Sequence, residues 1–386
     1  QVCKAVSTKY TRSKVRKMLP DCWGYSMDEL LHADEETNRA RYYSQIITSI
    51  IESGLAEDYI TALSNSVSNL AVDRLHIIGD IFDRGAHPDR IMNDLMEYHN
   101  VDFQWGNHDI VWMGAATGNW ACLTNVLRMN ISYNNFDMLE IGYGINLRAL
   151  ATFAAKVYAD DPCEFFKVKM LDSNQFDPVD EDLAAKMHKA IAICQFKVEG
   201  TTILAHPEYN LGNRLLLDKI DYQKGTVMLA GVEHELRDKN FPTIDPNNPY
   251  ELTEEERLLM NTLEASVLNS KTLQEHIRFL YSHGSMYKVV NGNLLYHGCI
   301  PLTEDGEFED CTVNGVTSKG RNYMDYLDDE LRKAYFNTYR LKGGIHSGDL
   351  MWYLWLGSKS PMFGKDQMTT FERLFITDKS THKEHT

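Results

Sequence analysis

The sequence predicts an α/β fold with large helical insertions. Two short apolar runs, at residues 75–78 and 101–105, are each followed by a polar cluster. Pro88 lies between the runs and opens a segment with helical spacing, so the three pieces form a strand–helix–strand unit. Longer stretches on both sides repeat apolar residues at helical spacing and predict helices at 28–70, 118–196 and 251–282.

The N-terminal region is predicted to be helical. Apolar side chains recur there at helical spacing, and Ser53-Gly54 breaks the pattern; they are Tyr43, Ile46, Ile47, Ile50 and Ile51. Residues 1–20 are rich in lysine and arginine and contain no acidic residue. This basic stretch is either a solvated helix face or a surface for an anionic effector or partner.

The strand–helix–strand unit is the centre of the prediction. Residues 75–78 are expected to form a buried strand that ends in Gly79-Asp80, and residues 101–105 a second strand that ends in Gly106-Asn107. The helix that begins at Pro88 is expected to use as its apolar positions Ile91, Leu95 and Met96. Because parallel sheets bind ligands at the carboxyl ends of their strands, both polar clusters are expected at one edge.

The remaining elements follow the same kind of pattern. The helical stretch 118–196 has one apolar face, made of Leu147, Leu150, Ala154, Val157 and Tyr158. Thr201 to Ala205 is predicted to be a strand that ends at His206. Residues 287–296 read as a hairpin on an Asn291-Gly292 turn, and this hairpin places His297 at its end.

Composition excludes several classes of function. The net charge of −16 argues against a nucleic-acid surface, which needs a basic footprint. The 7 cysteines are odd in number and form no Cys-x-x-Cys pair, so free thiols in a reducing, cytoplasmic compartment are expected. No apolar run approaches the roughly 20 residues that span a bilayer. The chain begins at Gln1, without an initiator methionine or a signal sequence.

The two polar clusters carry groups suited to metal and phosphate chemistry. Asp80 and Asn107 offer oxygen ligands to a hard cation such as Mn²⁺ or Mg²⁺, although either residue could simply shape a turn. His108 is suited to protonate an alkoxide leaving group, and Asp83 to hold its imidazole. Arg84 has a planar fork that can bind two phosphate oxygens, with a surface ion pair as the alternative.

The two polar clusters together resemble the motifs of a known protein family. Gly-Asp-x-x-Asp-Arg-Gly at 79–85, followed by Gly-Asn-His-Asp at 106–109, resembles the double motif of the calcineurin-type metallophosphoesterases, which include the serine/threonine protein phosphatases. The resemblance implies a core of two facing β-sheets flanked by helices. It also implies a site for two divalent cations, expected to be Mn²⁺, with Mg²⁺ or another divalent cation as alternatives.

The resemblance assigns a role to each residue of the two motifs. It implies Asp80 as the ligand that bridges the cations and Asn107 as a ligand of the second cation. It implies His108 as the proton donor, paired with Asp83, and Arg84 as the group that binds phosphate. A further ligand in this family is a histidine followed by glycine at the end of a strand.

Three histidines compete for that further ligand position. His297 lies in the block 296–301 and matches the strand-end His-Gly pattern of the family. His206 also follows an apolar run, but Pro207 stands where the pattern has glycine. His283 is followed by glycine but ends a helical stretch. His297 is therefore the predicted metal ligand.

A closer resemblance is to the class III fructose-1,6-bisphosphatases of Firmicutes. The matching blocks run from end to end of the chain, at residues 9–17, 75–85, 104–114 and 360–373. The resemblance implies hydrolysis of the 1-phosphate of fructose 1,6-bisphosphate, a reaction of gluconeogenesis, with a small sugar phosphate as partner and no nucleic acid or membrane. The resemblance does not decide the oligomeric state, and a homo-oligomer is one of the alternatives. The alternatives are a protein or nucleotide phosphatase of the same superfamily, or a metal-poor binding module without catalysis.

The predicted organisation follows from the motifs and the helical stretches. It consists of a helical N-terminal segment, a metallophosphoesterase strand–helix–strand core, a helical insertion, and the remainder of the core with a further insertion at 251–282; the boundaries are 1–70, 71–117, 118–196 and 197–386.

The sequence departs from the family in one respect. Members carry an Asp-x-His block before the first motif and a late Gly-His block, and neither occurs here. The chain is therefore expected to be the central part of a longer protein. As written, only Asp80 would serve the first cation, while Asp80, Asn107 and His297 serve the second. We expect this chain alone to be a poor or inactive catalyst.

Overall fold

The computed structural model of the chain is a mixed α/β protein, as the sequence predicts. It describes residues 1–33, 39–169, 180–337 and 345–384. Helices dominate and the strands are short. The chain divides into two compact units: the first comprises residues 1–76 and 98–102, and the second comprises residues 77–97 and 103–386.

The first unit is helical, which confirms the prediction for residues 28–70. Its helices are α1 (Val2–Ser7), α2 (Arg12–Met18), α3 (Gly24–Leu31), α4 (Ala40–Glu52) and α5 (Ala56–Ala71). Helix α4 ends immediately before Ser53-Gly54, where the apolar pattern breaks. A small core joins the helices and contains Cys3, Val15, Leu19, Met27, Leu31 and Leu70. The basic stretch is partly bonded inside the unit, since Arg12 pairs with Asp28.

The second unit contains the other helices. They are α6 (Pro88–Glu97), α7 (Asn107–Ala115), α8 (Trp120–Ser132), α9 (Arg148–Val157), α10 (Glu181–Ala205), α11 (Glu254–Leu268), α12 (Lys271–His283), α13 (Gly320–Asn337), α14 (Ile345–Leu356) and α15 (Thr370–Phe375). The predicted helical stretches at 118–196 and 251–282 are thus confirmed for the described residues, and residues 170–179 of the first stretch lie outside them. Almost every residue of α7 is buried, so the helix that carries the second polar cluster is held on most sides.

The strands form small sheets. They are β1 (Leu75–Ile77), β2 (Val101–Gln104), β3 (Ile220–Asp221), β4 (Thr226–Leu229), β5 (Val232–Glu235), β6 (Gly284–Ser285), β7 (Tyr287–Val290), β8 (Asn293–Tyr296), β9 (Cys311–Val313) and β10 (Val316–Ser318). In the described part of the chain, the order β1-β2-β6 makes one sheet and β3-β4-β5 another, while β7-β8 and β9-β10 are hairpins. Strands β2 and β6 are parallel, with Phe103 opposite Gly284.

The strand–helix–strand unit forms at the predicted positions, but its burial differs from the prediction. Strand β1 is half-buried rather than buried, and Ile78 after it is 63% exposed. In α6 the buried residues are Pro88, Met92 and Leu95, whereas Ile91 and Met96 are 50% and 40% exposed. The helix is therefore turned further than its apolar residues suggest, and Met92 rather than Ile91 packs inward.

The predicted strand at Thr201–Ala205 is wrong. These residues are the last turns of α10, which runs from Glu181 to Ala205. Residues from most sides of α10 are buried, so no single apolar stripe marks the helix in the sequence. The threonines and Ile203 favour a strand locally, and the packing of α10 against α8 and α9 outweighs that preference.

The predicted hairpin is confirmed. Strands β7 and β8 pair antiparallel, with Tyr287 opposite Tyr296. Asn291 and Gly292 have φ values of 52° and 78°, the left-handed backbone that a tight two-residue turn requires. His297 follows β8 directly.

Two further expectations concern the whole chain. All 7 cysteines are free thiols, as their number and scatter predict. Among the helices that the structure describes, we find none with the length and apolar content needed to cross a bilayer.

Candidate active site

The two polar loops meet because each contains a glycine at the point of contact. Gly79 has a φ of 89°, and a Cβ there would lie 2.5 Å from the backbone nitrogen of Gly106. In turn, a Cβ on Gly106 would lie 2.1 Å from Oδ1 of Asp80. Asp80 itself has a φ of 57°, which is unusual for a residue with a side chain. The loops can approach this closely only without side chains at these positions.

Asp109 ties the two loops together, a role that the sequence did not predict. Its Oδ2 accepts hydrogen bonds from the backbone nitrogens of Asp80 (2.8 Å) and Gly106 (2.9 Å), and its Oδ1 accepts one from Phe82 (3.3 Å). Burial raises the pKa of Asp109 to about 6, while these backbone donors stabilise the ionised form. Asp109 thus fixes the backbone on which the polar side chains stand.

Asp80 lies at the amino-terminal end of α7. Its Oδ1 accepts a hydrogen bond from the backbone nitrogen of His108 at 3.1 Å, one of the free N–H groups of the first helical turn. Its Oδ2 faces Nε2 of His297 at 3.3 Å. Burial alone raises the pKa of Asp80, but the hydrogen bond from His297 and the nearby imidazoles outweigh it and lower the pKa.

His297 is held toward Asp80 by its other ring nitrogen. Nδ1 donates to the carbonyl of Ile78 at 2.6 Å, which leaves Nε2 directed at the carboxylate. The hydrogen bond with Asp80 raises the pKa of His297 to about 9. A backbone carbonyl that fixes one ring nitrogen and directs the other into the site is the usual arrangement of a metal-binding histidine.

Asn107 is the first residue of α7 and is buried. Its side-chain nitrogen donates to the carbonyl of Trp355 at 3.2 Å. Because this bond orients the amide, the side-chain oxygen is left free to act as a ligand. Asn107 lines the same cavity as Asp80 and His297.

His108, Asp83 and Arg84 form a connected group. Nε2 of His108 lies 3.1 Å from Oδ1 of Asp83. Arg84 donates to both oxygens of Asp83, from Nε at 2.8 Å and from Nη2 at 2.9 Å. Burial lowers the pKa of His108. Asp83 is thus shared between the imidazole and the guanidinium, a pairing that the sequence predicted only for His108.

The donor atoms suit a divalent cation. Atoms of Asp80, Asp83 and His108 that could bind a metal all lie within 4.8 Å of one another. His297 and Asn107 add an imidazole nitrogen and an amide oxygen on the same cavity. A set of carboxylate, amide and imidazole donors fits Mn²⁺ and also accommodates Mg²⁺, which prefers oxygen. The predicted residues are therefore brought together in one place.

The competing histidines lie elsewhere. His206 is buried, with Nδ1 2.7 Å from Glu208 and Nε2 3.0 Å from Asp349, so both ring nitrogens face carboxylates. His283 is exposed and its Nδ1 lies 2.9 Å from the hydroxyl of Ser282. Neither lines the cavity that contains Asp80.

The cavity extends well beyond the polar loops. Its volume is about 630 Å³, enough for a small phosphorylated ligand. The wall away from Asp80 carries several basic and aromatic residues that the sequence did not single out, among them Arg128, Tyr133 and Lys169. Arg128 belongs to α8, Tyr133 follows α8 directly and Lys169 follows α9, and no motif marks them in the sequence.

Comparison with known proteins gives one consistent family. The profile described as "Firmicute fructose-1,6-bisphosphatase" matches residues 1–386. The class 3 fructose-1,6-bisphosphatase of Clostridium tetani is 53% identical over 385 residues, which is 100% of this chain and 58% of that protein. The class 3 enzyme of Listeria innocua is 49% identical over 385 residues, 100% of this chain and 59% of that protein.

The chain is shorter than the relatives that it matches. The chain spans 58% of the length of the Clostridium novyi class 3 enzyme, to which it is 52% identical over 386 residues. No solved structure gives a significant match. Because the family profile covers the whole sequence, the assignment does not depend on the two polar motifs alone, and the chain belongs to the Firmicute fructose-1,6-bisphosphatase family.

Proposed function

We propose that the protein hydrolyses the 1-phosphate of fructose 1,6-bisphosphate, giving fructose 6-phosphate and phosphate, with the help of two divalent cations, Mn²⁺ foremost. The convergence of Asp80, Asn107 and His297 beside the His108–Asp83 pair on one cavity carries this proposal. Relatives named as class 3 fructose-1,6-bisphosphatases supply the choice of substrate. The proposal includes a core of the calcineurin type around β1, α6 and β2.

Each ligand in the proposal has a supporting contact. Asp80 and His297 face each other at 3.3 Å, and a cation between them would take the place of that direct contact. Asn107 would add its amide oxygen, since its nitrogen is used by Trp355. Cations bound there would lower the pKa of a water molecule and neutralise charge that develops on the phosphate.

Proton transfer is assigned to His108. Its Nδ1 is buried without a hydrogen-bond partner among the described residues, so Nε2 is the nitrogen available to a substrate. Water attacks phosphorus in line, and the bond between phosphorus and the sugar oxygen breaks. His108 acts in its charged form: Nε2 exchanges its contact with Asp83 for the sugar oxygen and gives that oxygen a proton, which leaves a neutral imidazole, while the phosphate keeps the protons of the attacking water. Asp83, which faces Nε2 at 3.1 Å, orients the ring and stabilises its charged form.

Arg84 is assigned to the phosphate that is hydrolysed. Two of its nitrogens bond Asp83, which fixes the guanidinium beside His108. The remaining Nη1 projects donors for the equatorial phosphate oxygens. Because a phosphate group carries more negative charge than a carboxylate, the substrate would also compete with Asp83 for the fork.

The test uses the product of the complete gene, expressed with and without Mn²⁺. We expect phosphate release from fructose 1,6-bisphosphate to exceed release from a phosphoserine peptide or a nucleoside monophosphate. Asp80→Asn should lower the metal-dependent rate at least 100-fold with the protein still folded. Asp310→Asn, at a carboxylate whose side chain is 67% exposed, is the matched control and should keep the rate. A preference for peptide or nucleotide would replace the proposed substrate.

A further inference from the structure

The cavity has a second chemical region away from the polar loops. We call it the cationic wall and define it by four residues that line the cavity, Arg128, Tyr133, Lys169 and His188. Arg128 belongs to α8 and His188 to α10, whereas Tyr133 and Lys169 lie in the segments that follow α8 and α9. None of the four has a role in the hydrolysis described above.

The two cations of the wall, Arg128 and Lys169, form no direct ion pair among the described residues, and the carboxylate that acts on Arg128 is the buried Glu199. Nε of Arg128 donates to Oε1 of Gln195 at 2.6 Å, and no ion pair to Arg128 or Lys169 occurs among the described residues. Lys365 and Arg373, which also line the cavity, differ in this respect because both pair with Glu384. In a chain with a net charge of −16, two cations on one cavity wall without a directly bonded carboxylate indicate an anionic ligand.

Tyr133 joins the wall to the proposed catalytic group. The charges of Arg84 and Lys169 both act on its hydroxyl, and Nζ of Lys169 lies 4.9 Å from the centre of its ring. Burial alone would raise the pKa of Tyr133, but the two cations lower it. Cζ of Arg84 lies 5.9 Å from the centre of the Tyr133 ring, so this ring stands between Arg84 and Lys169.

His188 supplies a second, independent sign of a ligand. It is 4% exposed, and Nδ1 donates to the carbonyl of Phe166 at 2.8 Å. Nε2 is therefore an acceptor, and it is buried with no hydrogen-bond partner among the described residues. An unsatisfied buried acceptor costs free energy, so a donor from a bound molecule is expected there. Burial, together with the charges of Arg128 and Lys169, lowers the pKa of His188 to about 3 and keeps it an acceptor.

We infer that Arg128, Lys169 and Tyr133 bind the phosphate that is not hydrolysed, and that Nε2 of His188 accepts a hydrogen bond from a sugar hydroxyl beside it. This inference rests on the proposed function, in which Arg84 binds the 1-phosphate. A ligand that offers both anionic oxygens and a neighbouring hydroxyl satisfies the cations and the acceptor together. The 6-phosphate end of fructose 1,6-bisphosphate has this chemistry.

The experiment measures binding rather than turnover. The protein, kept free of metal with a chelator, is titrated calorimetrically with fructose 6-phosphate and with fructose 1-phosphate. We expect Lys169→Met to weaken fructose 6-phosphate binding at least 10-fold and fructose 1-phosphate binding less than 3-fold. Lys169→Arg should restore the affinity because it keeps the charge. Lys271→Met removes a lysine whose side chain is 89% exposed and should leave both affinities unchanged.

A second variant tests the acceptor. His188→Leu removes Nε2 and should weaken fructose 6-phosphate binding, whereas His188→Gln keeps an acceptor and should weaken it less. Equal affinity of fructose 6-phosphate for the unmodified protein, Lys169→Met and His188→Leu would overturn the inference, and so would an absence of fructose 6-phosphate binding.

Failure of the proposed function gives a different pattern. If the complete gene product releases no phosphate from fructose 1,6-bisphosphate but fructose 6-phosphate binding still depends on Lys169, the wall is a sugar-phosphate site and the reaction is wrong. If hydrolysis occurs but Lys169→Met leaves the KM for fructose 1,6-bisphosphate unchanged, the reaction stands and the subsite is wrong.

Discussion

Two glycines set the distance between the polar loops. Gly106 has no room for a side chain, because a Cβ would lie 2.1 Å from Oδ1 of Asp80 and 2.6 Å from its backbone nitrogen. The carboxylate of Asp109 then bonds both loops, so a shift of one loop also disturbs the other. The position of Asp80 therefore depends on backbone contacts as well as on its own side chain.

Gly106→Ala should displace Asp80 and destabilise the protein. The added methyl meets atoms of a loop that Asp109 holds in place, so we expect a loss of about 2 kcal/mol in the free energy of unfolding. Mn²⁺ binding should weaken together with stability. Gly212→Ala is the matched control, because no atom lies within 4 Å of the added Cβ. Urea unfolding and a Mn²⁺ titration check both variants; an equal effect of the two would refute the close contact.

The residues of the candidate site were predictable to different degrees. Asp80, Asn107 and His297 could be placed together because each follows a strand at a recognisable turn. Asp109 stands inside the second motif, but its bonds to three backbone nitrogens depend on how the loops meet. Arg128 and Lys169 lie far apart in the chain and have no local pattern, so only the fold brings them to one wall.

At the scale of elements, α10 shows where sequence patterns lose information. The helix runs for 25 residues and is buried on most sides, so its apolar residues do not form a stripe. It also buries two lysines completely, Lys189 and Lys197. Lys189 pairs with Asp161 at 2.6 Å and with Asp238 at 2.7 Å. A lysine in a sequence normally predicts a surface position. Lys189 is buried instead because its ion pairs compensate the charge.

The pair between Lys197 and Glu256 should stabilise the packing of α10 near α11. Nζ of Lys197 lies 2.7 Å from Glu256 and 2.6 Å from the carbonyl of Thr243, and both side chains are buried. Lys197→Met leaves the Glu256 carboxylate without its cation. We therefore expect the free energy of unfolding to fall by about 3 kcal/mol. Adding Glu256→Gln should recover part of this loss, because the buried charge is removed.

The control is an exposed ion pair whose acidic residue, Glu255, precedes Glu256 on α11. Lys156 and Glu255 are 2.7 Å apart, but their side chains are 67% and 56% exposed. Lys156→Met should change the free energy of unfolding by less than about 1 kcal/mol, since water screens an exposed pair. Urea unfolding of the single and double variants gives the coupling energy. A loss for Lys197→Met as small as that for Lys156→Met would contradict the buried pair.

On the scale of the whole molecule, charge is distributed unevenly. The chain carries 55 acidic and 39 basic residues, yet Arg128 and Lys169 face one cavity, and neither forms an ion pair with a carboxylate in the described part of the chain. An acidic protein that binds phosphate esters must concentrate positive charge locally, through cations or a few basic side chains. Composition does not say where basic side chains collect, whereas the fold brings Arg128 of α8 and Lys169, which follows α9, to one cavity.

The stability of the whole molecule should fall toward acid pH partly because of His188. Burial lowers its pKa to about 3 in the folded protein, whereas an unfolded histidine has a pKa of about 6.5. Below that pH the unfolded chain binds a proton that the folded chain does not bind. Stability therefore decreases as the pH falls, by about 1.4 kcal/mol per pH unit from this group.

His188→Gln should remove that part of the pH dependence. Its amide can still donate to the carbonyl of Phe166, and it does not titrate. Between pH 7.5 and pH 5 the free energy of unfolding should fall by about 2 kcal/mol more in the unmodified protein than in the variant. The difference arises over the roughly 1.5 pH units that lie below the pKa of an unfolded histidine. Urea unfolding at both values measures the difference. His283→Gln, at an exposed imidazole, is the control and should keep the slope of the unmodified protein. Equal slopes for His188→Gln and the unmodified protein would mean that His188 takes up its proton without unfolding, and that the cationic wall is more open to water than its burial indicates.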